Sequence, residues 1–278
     1  MKPEEVKDLC ELLIDLQSSV HRLCEQDARE KVDSLVEKMR LLFVEQAVVE
    51  VISAYYDLGK VIAVTRLFGG LINQNFSVTT NNGNRCQRFF IKRYRKGASE
   101  KEILFEHKCN AYLTRDDFPE VAKLIKANDG RTFIEHHVRN LDSPDKCSKF
   151  AVYSYLEGED RYEWLTPHCS MSDMASASAM FAKIHDRGFG FKAGEHAKEE
   201  PGIIPLMDVF DEYFSSLEKK IQSEQACSTC SAYFIEKLPS YRRSLDVCQP
   251  LKEKCEGMLK LMIHGDYHPG NQKYTDHG

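Results

Sequence analysis

His264-Gly265-Asp266-Tyr267-His268-Pro269-Gly270-Asn271 is the stretch on which the reading of this chain turns. Its Asp-x-x-x-x-Asn spacing is what phosphoryl transfer to a hydroxyl asks of one short loop. The Asp can accept the acceptor's proton, and the Asn, a loop turn later, offers a neutral oxygen to a magnesium ion bridging nucleotide phosphates. Only seven residues follow Asn271. Such a site ordinarily uses a second, carboxylate metal ligand further along, so weak or no catalysis is expected of this chain alone.

Upstream of the loop the pattern is helical, with helices expected at Ser172 to Asp186, Leu206 to Lys220, Ala226 to Leu245 and Pro250 to Leu261. Before Gly158 it is strand-like. Val61 to Phe68, Phe76 to Thr80 and Cys86 to Tyr94 are short runs rich in β-branched and aromatic residues, separated by Gly69-Gly70 and by Asn81-Asn82-Gly83-Asn84. They read as an antiparallel meander. Ser99 and Glu102 form a capping box for a helix over Ser99 to Thr114, and two more strands are expected at Thr132 to Val138 and Phe150 to Leu156. From Glu4 to Leu58 there is neither Gly nor Pro, and Leu9, Leu12, Leu13, Leu16, Val20 and Leu23, then Val32, Leu35, Val36, Met39 and Leu42, recur at helical intervals. Two amphipathic helices that break near Gln26 to Glu30 are expected. They either pack on the rest of the chain or serve self-association or a partner. Strands first and helices afterwards describe an α+β protein of two lobes.

Composition sets the bounds. At 278 residues, with a net charge of -5 and a pI near 6.1, the chain has no overall basic field, so nucleic acid and anionic membrane surfaces are poor partners. It has no apolar run long enough to span a bilayer and no signal-peptide core at its start, which makes the cytoplasm the default compartment. Ten cysteines are scattered through helical and strand segments and read as reduced thiols. Cys227, Cys230, Cys248 and Cys255 could be read as a zinc site, although the second pair is spaced by six intervening residues.

Taken with the strands before it, the HGDYHPGN loop resembles the catalytic loop of the aminoglycoside phosphotransferase and choline kinase group, the small-molecule branch of the protein-kinase-like fold. The resemblance runs from about Val61 to the C-terminus. It implies a two-lobed fold in three parts: residues 1–58 as an N-terminal helical extension, 59–157 as an antiparallel-sheet N-lobe and 158–278 as an incomplete helical C-lobe. It also implies Asp266 as catalytic base and Asn271 as magnesium ligand. His264 would brace the loop, and His268 would brace it or act as a base. Gly69, Gly70, Asn73 and Asn75 lie where that fold covers nucleotide phosphates with a glycine-bearing turn. Lys92, in Phe89-Phe90-Ile91-Lys92-Arg93-Tyr94, stands where the third strand carries a lysine for the α- and β-phosphates. A register error of one would hand that role to Arg93 or Arg88. The lysine's carboxylate partner would be Glu106 or Glu102, which share a helix face, and Phe105-Glu106-His107 favours Glu106. Phe150 to Gly158, with Tyr153 and Tyr155, resembles the hinge whose backbone meets adenine, and His185 reads as structural.

The family's second metal ligand is an Asp on the return strand of a hairpin after the Asn. Here Gln272 to Thr275 reads as the hairpin's first strand and Asp276-His277-Gly278 as its turn, so the chain looks C-terminally truncated. The implied function is ATP- and magnesium-dependent transfer of a γ-phosphate to a hydroxyl of an aminoglycoside, homoserine, choline, ethanolamine or a sugar. A nucleotide-binding pseudokinase and a zinc-organised scaffold are the competing readings.

Overall fold

The computed structural model describes residues 26–67, 72–138, 147–162, 168–192, 194, 203–224, 228–251, 254 and 262–275. Two compact units account for the chain, residues 1–196 with 262–278, and residues 197–261.

The first unit is built on an antiparallel sheet. Strands β1 (Lys60–Leu67), β2 (Gln74–Asn81) and β3 (Cys86–Arg93) follow each other in space as in sequence. β6 (Cys147–Ser154) lies next to β3, and its other edge carries β4 (Leu124–Ile125) and β5 (Ile134–His137). The β2–β3 turn is set by side chains: Asn81 Oδ1 accepts from the Gly83 N–H at 2.7 Å and Asn82 Oδ1 from that of Asn84 at 3.1 Å. β4 has no counterpart among the expected strands, and β6 begins three residues earlier than its apolar run suggested.

Period-two alternation gives the sheet two working faces. Phe76, Val78, Phe89, Ile91, Ile134, Phe150 and Val152 form one, packed against Val44, Ala47, Val48, Val51 and Ile52 of α1 (Gln26–Tyr55). Burying each aliphatic side chain of that stripe is worth about 1.5–3 kcal/mol. The C-terminal half of α1 is therefore used on this chain's own sheet, while Leu35 and Leu42 remain exposed; the first expected helix lies outside the described residues. The other face carries α2 (Glu100–Leu113), whose Ile103 packs with Tyr94, Ala98, Ala151 and Tyr153.

One glycine joins α1 to the sheet. Gly59 has φ +86°, and a Cβ there would stand 2.6 Å from the Asn81 carbonyl oxygen, so the entry into β1 admits no larger residue.

After β6 the chain passes Gly158, forms an isolated antiparallel bridge between Glu159 and Tyr274, and enters α3 (Met171–Gly188), capped by Ser170. Gln272 to Thr275, expected as the first strand of a hairpin, pairs through Tyr274 with Glu159, with N–H···O distances of 2.8 and 3.0 Å. Asp276, His277 and Gly278 lie outside the described residues.

The second unit contains α4 (Ile203–Glu224) and α5 (Thr229–Cys248). Phe214 packs on Phe234 and Tyr241, and Arg242 reaches Ser215 and Glu218. Cys230 and Cys248 are free thiols, while Cys227 and Cys255 lie outside the described residues, as does most of the helix expected after Pro250. Among the described residues no cluster of three His, Cys, Asp or Glu is placed to hold a metal, and no helix is long and apolar enough to cross a membrane.

Candidate active site

Three basic residues on β3 take three different directions. Arg88 pairs with Glu157 and lies over the Tyr155 ring at 4.3 Å. Arg93 sits on the α1 side of the strand, where burial lowers its pKa and its partners are neutral: Ser148 Oγ at 2.8 Å and Gln74 Oε1 at 2.6 Å. Lys92 alternates to the α2 side, and its Nζ donates to both oxygens of Glu106, at 2.9 and 2.8 Å.

Which glutamate meets the lysine follows from how α2 starts. Glu102 is engaged by the capping box, accepting from the Ser99 N–H at 2.9 Å, and by Arg95 at 3.1 Å. Glu106 lies one helical turn on, over the sheet. Burial pushes its carboxyl up, but the charge of Lys92 and hydrogen bonds from Lys92, Tyr153 and Tyr94 outweigh that and hold it below the ordinary carboxylate range. The Lys92 and Glu106 side chains are 20% and 40% exposed, so the pair is open to a ligand on one side.

Asn75 is the Cα partner of Lys92 across β2 and β3, hence on the same face. Its Oδ1 is buried without a hydrogen-bond partner among the described residues. That orphaned oxygen can only accept a hydrogen bond or meet a cation, so a phosphate oxygen beside Lys92 would have to be met by the amide's Nδ2 donor. Asn73 has a different task, accepting the Arg95 N–H at 2.9 Å and so tying the turn to the end of β3. Gly69 and Gly70 lie outside the described residues.

Tyr153 and Tyr155 differ sharply. Tyr153 is in β6, covered by β3 on one edge and β4 on the other, with its hydroxyl donating to Glu106 Oε1 at 2.9 Å. Tyr155 lies past the strand's end. Arg88 is over its ring, and Lys273, which pairs with Asp160 at 3.0 Å, is 5.6 Å from the ring centroid.

The catalytic-loop candidate is organised around Asp266. Asn271 Nδ2 donates at 2.9 Å to both the Asp266 carbonyl and its Oδ2, which turns the Asn271 carbonyl oxygen away from the pair as a hard donor for a metal. His268 Nδ1 accepts the Gly270 N–H at 3.1 Å, capping the short turn Pro269–Asn271, and its Nε2 stands 3.8 Å from Asp266 Oδ1. His264 Nδ1 accepts the Asp266 N–H at 3.4 Å; burial lowers its pKa, so the ring is a neutral brace. Tyr267 anchors the loop to α3 by stacking on Phe181 and donating to the Ala177 carbonyl at 2.9 Å. His185, the structural reading, packs on Phe181 from the same helix, with ring centroids 4.1 Å apart.

Sequence reasoning gave no role to Tyr94 and His107. The signal was present, because alternation puts residues 90, 92 and 94 on one face and His107 follows Glu106 directly on α2.

The profile described as the phosphotransferase enzyme family matches residues 63–276. Among solved structures, the chain is similar to spectinomycin phosphotransferase APH(9)-Ia in complex with ADP and spectinomycin: TM-score 0.55, 12% identity, covering 83% of this chain and 65% of that one. It is also similar to the amicoumacin kinase hAmiN in complex with AMP-PNP, Ca2+ and Ami, with TM-score 0.52, 16% identity and 86% and 63% coverage. At these identities the likeness is one of fold, and the chain spans just under two thirds of the length of each. Comparison by sequence with curated proteins gives no match.

Proposed function

The chain belongs to the phosphotransferase enzyme family, and from that footing we propose that it moves the γ-phosphoryl group of ATP to a hydroxyl of a small molecule. The observation that carries this reading is the Lys92–Glu106 pair at 2.8 Å on the sheet face that also presents Asn75. In this reading Lys92 neutralises the α- and β-phosphates while Asn75 and the backbone of Gly69 and Gly70 complete the phosphate cradle. The backbone beyond β6, around Tyr155, meets the adenine edge. Asp266 orients the acceptor hydroxyl and takes its proton as the new O–P bond forms and the bond to ADP breaks. Its Oδ1 lies 3.8 Å from His268 Nε2 while Asn271 fixes Oδ2.

Asn271 would hold magnesium, which when bound neutralises charge shared by the β- and γ-phosphates. Asp276, read from the sequence as a turn residue, lies outside the described residues.

The acceptor class is an aminoglycoside, homoserine, choline, ethanolamine or a sugar. Its support is the fold shared with two proteins whose structures hold a nucleotide and a small-molecule substrate. ATP as donor and free thiols at Cys86 and Cys147 fit a cytoplasmic setting.

Titration with ATP and magnesium, followed by phosphotransfer to a panel of these alcohols, tests the reading. Lys92→Ala should weaken ATP binding by about tenfold or more, whereas Asp266→Ala should remove turnover with ATP affinity held within about twofold. Lys92→Ala binding ATP as tightly as the wild type would sink the assignment. ATP binding without transfer to any alcohol would make the chain a nucleotide-binding protein.

A further inference from the structure

Glu106 Oε1 accepts three hydrogen bonds, each 2.9 Å long, from Lys92 Nζ, Tyr94 Oη and Tyr153 Oη. Tyr94 Oη also lies 2.9 Å from His107 Nε2 and 3.2 Å from Tyr153 Oη. The two tyrosines come from β3's end and from β6, and both are almost fully buried, at 8% and 5% exposure.

Proton counting fixes the direction of this network. An ionised carboxylate only accepts, so both tyrosine protons point at Glu106. Tyr94 then has none left for His107, and the hydrogen in that contact belongs to Nε2 of a neutral imidazole. The bare Nδ1 that results is the His107 atom with no partner among the described residues. Burial keeps that ring neutral, with its pKa pushed down to about 4, and lifts both tyrosine hydroxyls far above their usual value, so none of the three changes charge near neutral pH.

We propose that Tyr94 and Tyr153 are positioning residues, whose hydroxyls hold the Glu106 carboxylate in the one orientation that aims Lys92 at a phosphate, with His107 orienting Tyr94. The aim at a phosphate rests on Lys92 being the phosphate-binding lysine proposed above, whereas the hold on Glu106 does not. A glutamate that is 40% exposed has three rotatable bonds and an easy route to water. Two rigid rings set in strands remove that freedom, because a phenol has few rotamers and its oxygen lies where the sheet puts it. The arrangement also explains why a half-open ion pair is worth building, since an exposed pair held only by its own attraction contributes little.

Tyr94→Phe, Tyr153→Phe and the double variant delete the hydroxyls and keep the rings. Ser99→Ala removes the cap of α2 and touches none of the Glu106 contacts, which controls for general loosening. Two quantities are read: ATP affinity in magnesium, and the rate at which an amine-acylating reagent modifies Lys92 without nucleotide, followed by peptide mass. Each Phe variant should raise the ATP dissociation constant by about tenfold, the scale of one hydrogen bond to a charged group, and speed Lys92 acylation severalfold. Ser99→Ala should move neither. If the double variant shows no melting transition, the single variants decide. Unchanged Lys92 acylation in the folded Phe variants overturns the proposal, even if their melting temperature drops. A wild-type chain that binds no ATP refutes the phosphate-binding role of Lys92, while the acylation rates still decide whether the hydroxyls position the ion pair.

Discussion

Lys92 is one of three cations on β3, and the helix facing it singles it out. Arg88 and Arg93 have partners that belong to the sheet and its edge, whereas Lys92 has a carboxylate from α2. His107, the residue after that carboxylate, gives the site a pH signature. Its pKa in the folded chain is about 4, against 6.5 for an ordinary histidine, because burial disfavours the charged ring. As pH falls below 6.5 the unfolded chain takes up the proton first, so stability declines until about pH 4 and then levels off for this group. The full effect is about 3 kcal/mol. Glu106, depressed below the carboxylate range, acts in the same direction at lower pH, its contribution being lost as pH falls through its folded value. Urea unfolding at pH 7, 5.5 and 4 should show the loss, and His107→Leu should flatten the slope between pH 6.5 and 5. Lys92, Glu106, Asp266 and Asn271 were legible as candidates because their residue types and spacing are tied to phosphate chemistry. Tyr153 was legible only as a hinge residue, and Tyr94 and His107 had no reading, since which hydroxyl meets which carboxylate depends on strand register.

At the scale of elements, local chemistry decided what could be read. The β2–β3 turn is written in Asn81 and Asn82, and the start of α2 in Ser99 and Glu102, so those boundaries lay in the sequence itself. β4 has only two residues and no alternation to betray it. Tertiary bonds hold it: Asn110 of α2 accepts the Leu124 N–H at 3.0 Å and donates to the Ala122 carbonyl at 2.7 Å. The packing of α1 on the sheet also depends on distant partners. Ile52, fully buried against that face, provides the measure of it. Ile52→Ala should destabilise the protein by about 2–5 kcal/mol, through lost apolar burial and an unfilled cavity, as read by urea unfolding at neutral pH. A loss below about 1 kcal/mol would mean that α1 does not dock as described.

For the molecule as a whole, the first unit is made of two stretches of chain, residues 1–196 and 262–278, and the Glu159–Tyr274 bridge is one of the contacts that join them beside the candidate catalytic loop. Gly158 has φ +137°, and a Cβ there would stand 3.0 Å from both the Tyr274 carbonyl oxygen and the Lys273 Cβ. Gly158→Val should force the Glu159–Tyr274 bridge apart and shift Asn271 three residues before it. Turnover should fall by about tenfold, with ATP affinity changing by no more than about threefold. Equal losses in both would show that the contact does not act through the loop. The bridge has a further consequence for the order in which the protein assembles on the ribosome. All six strands lie between residues 60 and 154, whereas Lys273 and its partner Asp160 are 113 positions apart. The sheet with its lysine can therefore form before residues 262–275 have been synthesised, and their docking has to close a loop of 113 positions between Asp160 and Lys273.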